Sequence, residues 1–281
     1  MEKIITDRAP FLAGIIGHPI SHSKSPKLHT YWLNQYKING FYVPFSITTE
    51  KLKSSIKGLI DLGFKGVNVT IPHKTNVLIY ADSVTDRASL IGAANTLYFS
   101  KSGNIHADNT DGYGFIQNII DEVPDFDFYD KTALIYGAGG SSRAIASALI
   151  SSGIKEVGIT NRTRSKAQII SENLGAKVSV VDWRSAPDTI TKADIIINAT
   201  SMGMVGQPDF SQPISRAKKT ALVVDIVYSP LITEFIKEAK KLKLKTVGGI
   251  GMLINQAVPG FEHWFQKKPQ IDDEIRRFIV E

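Results

Sequence analysis

Two parts of the sequence carry residue types and spacings that could do chemistry on an anionic ligand. The first is a glycine-rich turn at residues 137–142, which follows the apolar run Thr132–Tyr136 and precedes a helical pattern at 141–152. In that setting Gly137 permits a tight turn, Gly139 lets the backbone approach a pyrophosphate, and the helix N-terminus offers N–H groups to that anion. Such a turn can be purely structural, but the strand, the helix and the next strand at the expected spacing favour a dinucleotide site.

The residues after the next strand indicate which dinucleotide the turn would bind. An NAD site places Asp or Glu about 20 residues beyond the turn, where the carboxylate binds the ribose 2′-hydroxyl. Residues 161–166 read Asn-Arg-Thr-Arg-Ser-Lys here, with three cations and no carboxylate. A guanidinium can form a bidentate pair with a 2′-phosphate, so the run favours NADP. The alternative, a solvated basic loop, does not explain why the acid is missing at this place.

The second part is a set of polar clusters in the first third of the chain. They lie at residues 22–26, 68–74, 93–96 and 108–112. Ligands of open α/β sheets bind beyond the carboxyl ends of strands, and these clusters offer hydroxyls, amides, a lysine and an aspartate that suit a small polyol acid. The clusters contain no metal cage, so we predict no metal site.

Each of these residues also has a structural explanation when it is taken singly. The structural alternatives are a helix cap for Ser25, turn residues for Asn68, Thr70 and Asn95, and a surface lysine for Lys74. The histidines expected to be structural or exposed rather than catalytic are His18, His22 and His73.

The elements that must position these residues alternate along the chain. Short apolar runs follow helical patterns almost throughout, which predicts parallel sheets with helices on their faces. The predicted strands are residues 11–17, 41–47, 66–71, 132–136, 157–160, 178–181, 194–199 and 222–227, with a hairpin at 96–100 and 104–107. The predicted helices are residues 26–36, 49–62, 141–152, 165–173, 232–242, 252–266 and 271–280, with another after Asp111. Ser25 is the expected N-cap of the first helix, Gly153 and Gly175 are expected C-caps, and 121–130 is an expected loop.

Composition narrows the class of protein. The 281 residues are 43% hydrophobic, enough for two medium-sized cores. The net charge is +6, and the densest basic cluster, Lys240, Lys241, Lys243 and Lys245, is expected on a solvated helix and the strand after it. That placement disfavours a nucleic-acid partner. The absence of cysteine excludes disulfide and thiolate chemistry.

We expect no signal peptide at the start of the sequence. Residues 1–10 carry charges of both signs and no apolar core, which is unlike a signal peptide. No apolar run reaches the roughly 18 residues that a membrane-spanning helix needs. We therefore expect a soluble, cytoplasmic protein with a small-molecule substrate and neither a nucleic-acid nor a membrane partner. The sequence leaves the oligomeric state open, a homodimer included.

Taken together and in this order, the motifs resemble the shikimate dehydrogenase family. The matching stretches are residues 17–26, 68–74, 92–96, 108–112, 137–142, 161–163, 197–201 and 249–253, with Gln256. The resemblance spans nearly the whole chain, and the combination is far more specific than the glycine turn alone. The departures are small: Ser141 and Ser142 stand where Ala-Ser or Ala-Ala is frequent, and Lys166 stands where an Arg often contacts the phosphate.

The resemblance implies the fold and the activity. An N-terminal α/β substrate domain, residues 1–111 with 246–281, would accompany a Rossmann-type doubly wound dinucleotide-binding domain, residues 112–245, with a cleft between them. The activity would be the reversible NADPH-dependent reduction of 3-dehydroshikimate to shikimate, in the shikimate pathway of chorismate and aromatic amino-acid biosynthesis.

The resemblance also implies the site residues. Lys74 would be the acid/base and would work beside Asp111. The substrate-binding residues would be Ser23, Ser25, Asn68, Thr70, Lys74, Asn95, Asp111, Tyr228 and Gln256. The cofactor-binding residues would be Asp86, Gly137, Ala138, Gly139, Gly140, Ser141, Asn161, Arg162, Thr163, Arg164, Lys166, Ile226 and Gly249, of which Ile226 and Gly249 would flank the nicotinamide.

Two other functions fit parts of the sequence. A quinate/shikimate dehydrogenase of broader specificity would tend to use NAD, which residues 161–166 disfavour. A non-catalytic ligand sensor on the same fold would need a lost acid/base residue or an attached DNA-binding segment, yet Lys74 and Asp111 are both present. The sequence also leaves open whether Lys74 donates a proton or only stabilises developing negative charge.

Overall fold

The computed structural model describes residues 9–281, which form two compact units. The first unit consists of the described residues up to Thr110 together with Ala257–Ile279, and the second consists of Asp111–Gln256. The prediction about residues 1–10 lies almost entirely outside the described residues. The domain limits 1–111 with 246–281 and 112–245 stay a prediction.

A mixed sheet forms the centre of the first unit. Its strands are β1 (Phe11–Gly17), β2 (Gly40–Ser46), β3 (Gly66–Val69), β4 (Ser83–Val84), β5 (Thr96–Phe99) and β6 (Ile105–Asp108). They lie in the order β2-β1-β3-β5-β6-β4. Strand β1 pairs parallel with β2 and β3, whereas β5 pairs antiparallel with β3 and β6. The predicted hairpin is confirmed, and because it is part of this sheet, the prediction of a parallel sheet is wrong for this unit.

A parallel sheet forms the centre of the second unit. Its strands are β7 (Thr132–Tyr136), β8 (Glu156–Thr160), β9 (Val178–Val181), β10 (Ile195–Asn198), β11 (Leu222–Asp225) and β12 (Lys245–Val247). They lie in the order β12-β11-β10-β7-β8-β9, and every pair is parallel. The order reverses between β7 and β10, which in doubly wound sheets marks the ligand crevice at the carboxyl ends of the strands.

Helices cover both faces of the second sheet, where two apolar cores lie. All residues of β10 and β11 are buried, as expected for strands covered on both faces. The helices of the chain are α1 (Ser25–Gln35), α2 (Leu52–Asp61), α3 (Asp86–Ile91), α4 (Asp111–Glu122), α5 (Gly140–Ser151), α6 (Arg164–Leu174), α7 (Ala186–Thr189), α8 (Glu234–Lys241), α9 (Gly249–Phe265) and α10 (Asp273–Val280). Among the described residues, no helix is long and apolar enough to cross a membrane.

The predicted helices are present, but several of their ends differ from the prediction. Lys24, not Ser25, is the N-cap of α1, because the side chain of Ser25 is buried and hydrogen-bonded to the Tyr42 hydroxyl instead. Helix α5 ends at Ser151, so Gly153 with its φ of +93° belongs to the turn that follows. Helix α4 extends to Glu122 and thus includes the first residues of the predicted loop.

Four short elements were not predicted: β4, α3, α7 and a 3-10 helix at Asn76–Tyr80. Each spans at most two turns of helix or two strand residues, which is too short for a hydrophobic period to appear in the sequence. The basic cluster behaves as expected, since the four lysines at 240, 241, 243 and 245 are exposed on α8 and around the start of β12.

Candidate active site

The glycine turn joins the carboxyl end of β7 to the N-terminus of α5. Gly137 has a φ of +112°, and a methyl group added to it would lie 2.6 Å from the Ala199 carbonyl oxygen. This position requires glycine both for its backbone conformation and for its closeness to the segment after β10. A methyl group at Gly139 would meet no atom of the described residues beyond its chain neighbours within 4 Å. The turn is therefore packed at Gly137 and open at Gly139, where a pyrophosphate is predicted to approach.

Helix α5 begins directly after the open glycine. The Gly139 N–H donates to Ser142 Oγ at 3.3 Å, and the Arg143 N–H donates to the Gly139 carbonyl at 3.1 Å. The turn is completed by Ala138, Gly140 and Ser141. A helix N-terminus preceded by an open glycine fits the pyrophosphate of a dinucleotide, because the first-turn N–H groups and the helix dipole both favour an anion.

The basic loop begins beside the glycine turn. The Gly137 N–H donates to the Thr160 carbonyl at 2.8 Å, which joins the turn to the carboxyl end of β8. Asn161 Nδ2 donates to the Thr163 carbonyl at 2.9 Å and fixes the first residues of the loop. The sheet therefore brings the predicted pyrophosphate and 2′-phosphate residues to neighbouring strand ends.

The three cations of this loop differ in their surroundings. Arg162 and Lys166 are exposed, whereas Arg164 Nη1 lies 4.0 Å from Oδ2 of Asp182, which follows β9. An exposed ion pair at that distance contributes little free energy, so it does not withhold Arg164 from an anionic ligand. The donor set fits a ribose 2′-phosphate, for which guanidinium groups are well shaped.

Ile226 and Gly249, the residues expected to flank a nicotinamide, are in direct contact. A methyl group at Gly249 would overlap the carbonyl group of Ile226 and lie 2.7 Å from the Val227 carbonyl oxygen. The Ile226 N–H donates to the Asn198 carbonyl at 3.1 Å, which continues the β10–β11 pairing past the end of β11. Tyr228 follows in the same segment, and burial raises the pKa of its phenol, which therefore stays protonated at neutral pH.

Asp111 is the first residue of α4 and is buried, with 4% of its surface exposed. The hydroxyl of Ser141, in the glycine turn, donates to Oδ2 of Asp111 at 3.2 Å. The structure thereby joins a predicted catalytic carboxylate to the predicted cofactor turn.

Gln256 lies on α9 and packs against α4, since a methyl group at Gly114 would be 2.7 Å from the Gln256 backbone nitrogen.

In the first unit, a buried hydroxyl connects two predicted substrate residues, and one of these is hydrogen-bonded to a third. The Tyr42 hydroxyl donates to Asn68 Oδ1 at 2.6 Å and is also hydrogen-bonded to the Ser25 side chain. Asn68 Nδ2 donates to the Asn95 carbonyl at 3.1 Å and to Thr96 Oγ1 at 3.2 Å. Burial raises the pKa of Tyr42 well above its ordinary value, and the hydrogen bond from Ser25 offsets only part of that effect. Sequence reasoning missed Tyr42, because nothing in an apolar strand marks one tyrosine as a junction.

Asn95 fixes the segment that leads to the end of the first unit. Its Nδ2 donates to Thr110 Oγ1 at 2.9 Å, and its Oδ1 accepts the Thr110 N–H at 2.9 Å. Asn95 and Thr110 are both buried. A two-way side-chain contact of this kind holds the residue before Asp111 in one position relative to β5.

The other predicted residues of the first unit lie in turns after β1 and β3. Ser23 Oγ accepts the Ser25 N–H at 3.3 Å, and the Thr70 N–H donates to the Ile16 carbonyl at 2.9 Å. Lys74 is half-buried, and its carbonyl accepts the Ala94 N–H at 2.7 Å. The pairing of Lys74 with Asp111 stays a prediction.

The predicted structural role of His73 agrees with its surroundings. The ring is fully buried, and its Nε2 lies 2.7 Å from the Ile47 carbonyl oxygen. His18 and His22 are exposed.

Asp86 is exposed at the start of α3, which Thr85 caps by accepting the Ala88 N–H. Its role near the cofactor stays a prediction.

The adjacent Arg87 forms a bidentate pair with the buried carboxylate of Asp108, with Nε 2.6 Å from Oδ1. That pair fastens α3 to the end of β6.

A second residue that sequence reasoning missed is Asp225, the last residue of β11. Its side chain is fully buried and accepts hydrogen bonds from Asn198, Val227 and Thr233. The only signal in the sequence was an acidic residue at the end of an apolar strand, which is ordinary at a solvated sheet edge.

Two family descriptions match the chain. "Shikimate dehydrogenase substrate binding domain" matches residues 15–97, and "Shikimate / quinate 5-dehydrogenase" matches residues 119–251. Each match falls within one of the two compact units.

Relatives match over nearly the whole chain. The shikimate dehydrogenase (NADP(+)) of Paracoccus denitrificans is 49% identical over 280 residues, which cover 100% of this chain and 99% of that protein. The crystal structure of shikimate 5-dehydrogenase from Thermus thermophilus in complex with NADP(H) and shikimate has a TM-score of 0.84 and 31% identity, covering 95% of this chain and 99% of that one. Quinate dehydrogenase from Corynebacterium glutamicum in complex with NAD has a TM-score of 0.87 and 30% identity, covering 96% and 97%.

The two domain matches, the identity along the full length and the arrangement of the dinucleotide turn all agree with the resemblance seen in the motifs. The chain belongs to the shikimate dehydrogenase family.

Proposed function

We propose that the chain catalyses the reversible reduction of 3-dehydroshikimate to shikimate with NADPH as the hydride donor. The observation that carries this proposal is the hydrogen bond from Ser141 to Asp111, because it joins the dinucleotide turn to the carboxylate expected to bind a ring hydroxyl. The relatives support the proposal: the Paracoccus protein is named for NADP(+), and the Thermus structure holds NADP(H) and shikimate.

The cofactor would be held along the carboxyl edge of the second sheet, and when bound it supplies the hydride. Residues 137–141 would bind the pyrophosphate through N–H groups at the start of α5. The residues for the adenosine 2′-phosphate end would be Asn161, Arg162, Thr163, Arg164 and Lys166. Ile226 and Gly249 would border the nicotinamide, and Asp86 would lie near the cofactor.

The substrate would be recognised by neutral donors and one carboxylate. Hydroxyls suit a substrate carboxylate, which Ser23 would hold with help from the protonated phenol of Tyr228. Ser25 would join them by turning its hydroxyl proton from Tyr42 to the carboxylate. The residues for the ring hydroxyls would be Asn68, Thr70, Asn95, Asp111 and Gln256. The Tyr42 hydroxyl holds two residues of the predicted substrate site in place, because it is hydrogen-bonded to both Ser25 and Asn68.

Lys74 would supply the electrostatic and proton chemistry. As hydride reaches the ketone carbon, negative charge develops on the ketone oxygen, and an ammonium beside that oxygen stabilises it. The same ammonium can deliver a proton to the oxygen and complete the alcohol. In the reverse direction the neutral amine accepts the proton from the hydroxyl.

The direct test follows the nicotinamide absorbance of the purified chain with shikimate and NADP. We expect turnover with this pair, and kcat/KM for shikimate with NADP should exceed that for quinate or for NAD. Turnover of quinate with NAD and none of shikimate with NADP would contradict the proposal and identify the chain as a functional equivalent of the Corynebacterium protein.

A lysine pair tests the assigned chemistry. Lys74→Ala should lower kcat by on the order of 10²-fold or more while NADP affinity is retained. Lys65→Ala, a change just before β3 at the opposite end of the strand, should leave kcat unchanged. Near-normal turnover of Lys74→Ala would remove that residue from the mechanism.

We also propose a cytoplasmic location and a role in aromatic amino-acid biosynthesis. The second proposal is supported by the relatives, which are named as shikimate dehydrogenases.

Sedimentation of the purified chain tests the homodimer that the sequence leaves open.

A further inference from the structure

Asp225 is a buried carboxylate whose hydrogen-bond partners are all neutral. Its side chain has 0% exposure at the carboxyl end of β11. Oδ1 accepts Asn198 Nδ2 and the Val227 N–H, both at 3.0 Å, and Oδ2 accepts Thr233 Oγ1 at 2.6 Å. Burial raises the pKa of Asp225 to about 6, even though these three hydrogen bonds favour the ionised form.

The three donors belong to three different segments. Asn198 ends β10 and folds the next residues around itself, donating to the Met202 carbonyl at 3.0 Å and accepting Thr200 Oγ1 at 2.6 Å. Val227 belongs to the segment after β11. Thr233 is the N-cap of α8, where its Oγ1 accepts the Ile236 N–H at 3.3 Å. One carboxylate therefore ties together the ends of β10 and β11 and the start of α8.

The segments that Asp225 connects also contact or contain residues of the candidate site. Gly137 packs against Ala199, directly after Asn198, and Gly249 packs against the carbonyl of Ile226, directly before Val227. A shift of the Val227 N–H would therefore move the two residues expected to border the nicotinamide and substrate, Ile226 and Tyr228.

Stability alone does not account for a carboxylate here. A buried anion without a cation is unfavourable, and neutral side chains could join the same segments at lower cost in folding free energy. Two rigidly spaced acceptor oxygens, however, fix the donors on three segments at once. Unfavourable groups that persist in this way are typical of functional sites.

We propose that Asp225 is a positioning residue that holds Ile226–Tyr228 in the orientation required for hydride transfer. This inference rests on the proposed function. Asp225 itself acts through the Val227 backbone and through Thr233, and it does not contact substrate or cofactor. Its loss should therefore lower turnover far more than cofactor affinity, because the glycine turn and the basic loop bind the other parts of NADP independently.

The test compares Asp225→Ala, Asp225→Asn, Thr233→Val and Thr233→Ser by kcat, by KM for both substrates and by the Kd for NADPH. Asp225→Ala should lower kcat by roughly 100-fold, the scale of a misplacement near 1 Å, with a change in Kd for NADPH below about threefold. Asp225→Asn should retain activity within about tenfold, because its Oδ1 can still accept both N–H groups while its Nδ2 donates to Thr233.

The threonine pair keeps the test valid where Asp225→Ala does not fold. Thr233→Val should lower kcat about tenfold, whereas Thr233→Ser, which keeps the hydroxyl, should stay within about twofold of wild type. Asp194→Ala is the control for loss of a strand-joining carboxylate, since Asp194 lies at the amino end of β10 and accepts hydrogen bonds from Thr132.

Two outcomes would overturn the inference. One is an unchanged kcat in Asp225→Ala and Thr233→Val. The other is a loss of kcat that Asp194→Ala reproduces at equal loss of thermal stability. A wild-type chain that does not turn over shikimate would instead contradict the proposed function, so the two failures are distinguishable.

Discussion

The two edges of the parallel sheet each hold a carboxylate that joins neighbouring elements, and the two carboxylates are stabilised in different ways. At the amino edge, Asp194 accepts the Thr132 N–H at 3.0 Å and hydroxyl at 3.1 Å, and its other oxygen pairs with Lys218 at 2.7 Å. At the carboxyl edge, Asp225 accepts three hydrogen bonds from neutral groups. The first carboxylate has a cation and the second has none among its hydrogen-bond partners.

The pKa values of the two groups move in opposite directions as a result. Burial acts to raise the pKa of Asp194, but the hydrogen bonds from Lys218 and Thr132 and the charge of Lys218 bring it below its ordinary value. Burial dominates at Asp225, whose pKa rises to about 6. The fold thus compensates a charge at the edge where strands begin and leaves one uncompensated at the edge where we propose that ligands bind. This difference supports the proposal that the carboxyl edge serves binding and catalysis as well as folding.

The largest expected effect is on the pH dependence of the free energy of unfolding. Between about pH 4 and pH 6 the unfolded chain loses the proton of Asp225 while the folded chain keeps it, so the contribution of this group to stability falls as pH rises. Relative to Asp225→Asn, wild type should therefore lose on the order of 3 kcal/mol across this interval, with no further change above it. Urea denaturation at several pH values measures this.

Asp194 should affect the pH dependence of the free energy of unfolding with the opposite sign, measured as the difference between wild type and Asp194→Asn. The stabilising contribution of Asp194 is present above the pKa of the unfolded chain and is lost as pH falls through the lower pKa of the folded state. Parallel stability profiles for the two asparagine variants would refute the contrast between the edges.

The next effect concerns the cations at the two edges. Arg162→Ala removes an exposed guanidinium at the carboxyl edge and should raise KM for NADP roughly 10–100-fold, the range for a lost hydrogen bond to a charged group. Lys218→Ala removes the partner of Asp194 and should lower stability without changing KM for NADP. An unchanged KM in Arg162→Ala would count against the 2′-phosphate assignment.

A pair of glycines separates folding from binding within a single turn. Gly139→Ala adds a methyl group to open space and should weaken NADP binding about tenfold, or about 1.4 kcal/mol, with little change in melting temperature. Gly137→Ala places its methyl group 2.6 Å from the Ala199 carbonyl oxygen and should lower the melting temperature. Calorimetry and NADPH titration on both variants check this, and equal melting temperatures would contradict it.

The smallest expected effect is at Ser141. Ser141→Ala removes one hydrogen bond to Asp111 and should lower kcat about two- to tenfold, the net value of a single hydrogen bond. Ser151→Ala, which removes a hydroxyl at the far end of α5, is the matched control and should leave kcat unchanged. Identical rates for wild type and both variants would show that the Ser141 contact is dispensable.

The local pattern of apolar and polar residues predicts much of the secondary structure. Strands β1, β7 and β9 have the bounds that the sequence predicts, because each is an apolar run bounded by polar or turn residues. The order of the second sheet and the place of the glycine turn agree with the dinucleotide fingerprint. The family resemblance added residue roles that no spacing could supply.

The missed residues share one property, which is that their side chains are hydrogen-bonded to other segments of the chain. Tyr42 acts through Ser25 and Asn68, and Asp225 acts through Asn198 and Thr233. Strand periodicity says which face a side chain occupies, but not which hydroxyl or amide of another segment will meet it. Such junctions become visible only when the strands are placed side by side.

The glycine near the start of α4 has a mechanical consequence. A methyl group at Gly112 would lie 2.8 Å from the Ala144 carbonyl oxygen and 2.9 Å from the Ala148 side chain, so α4 and α5 touch almost backbone to backbone. Helices in such close register cannot slide past each other without steric overlap. The close contact between the two helices therefore fixes the spacing of Asp111 and the glycine turn, which lie at the starts of these helices.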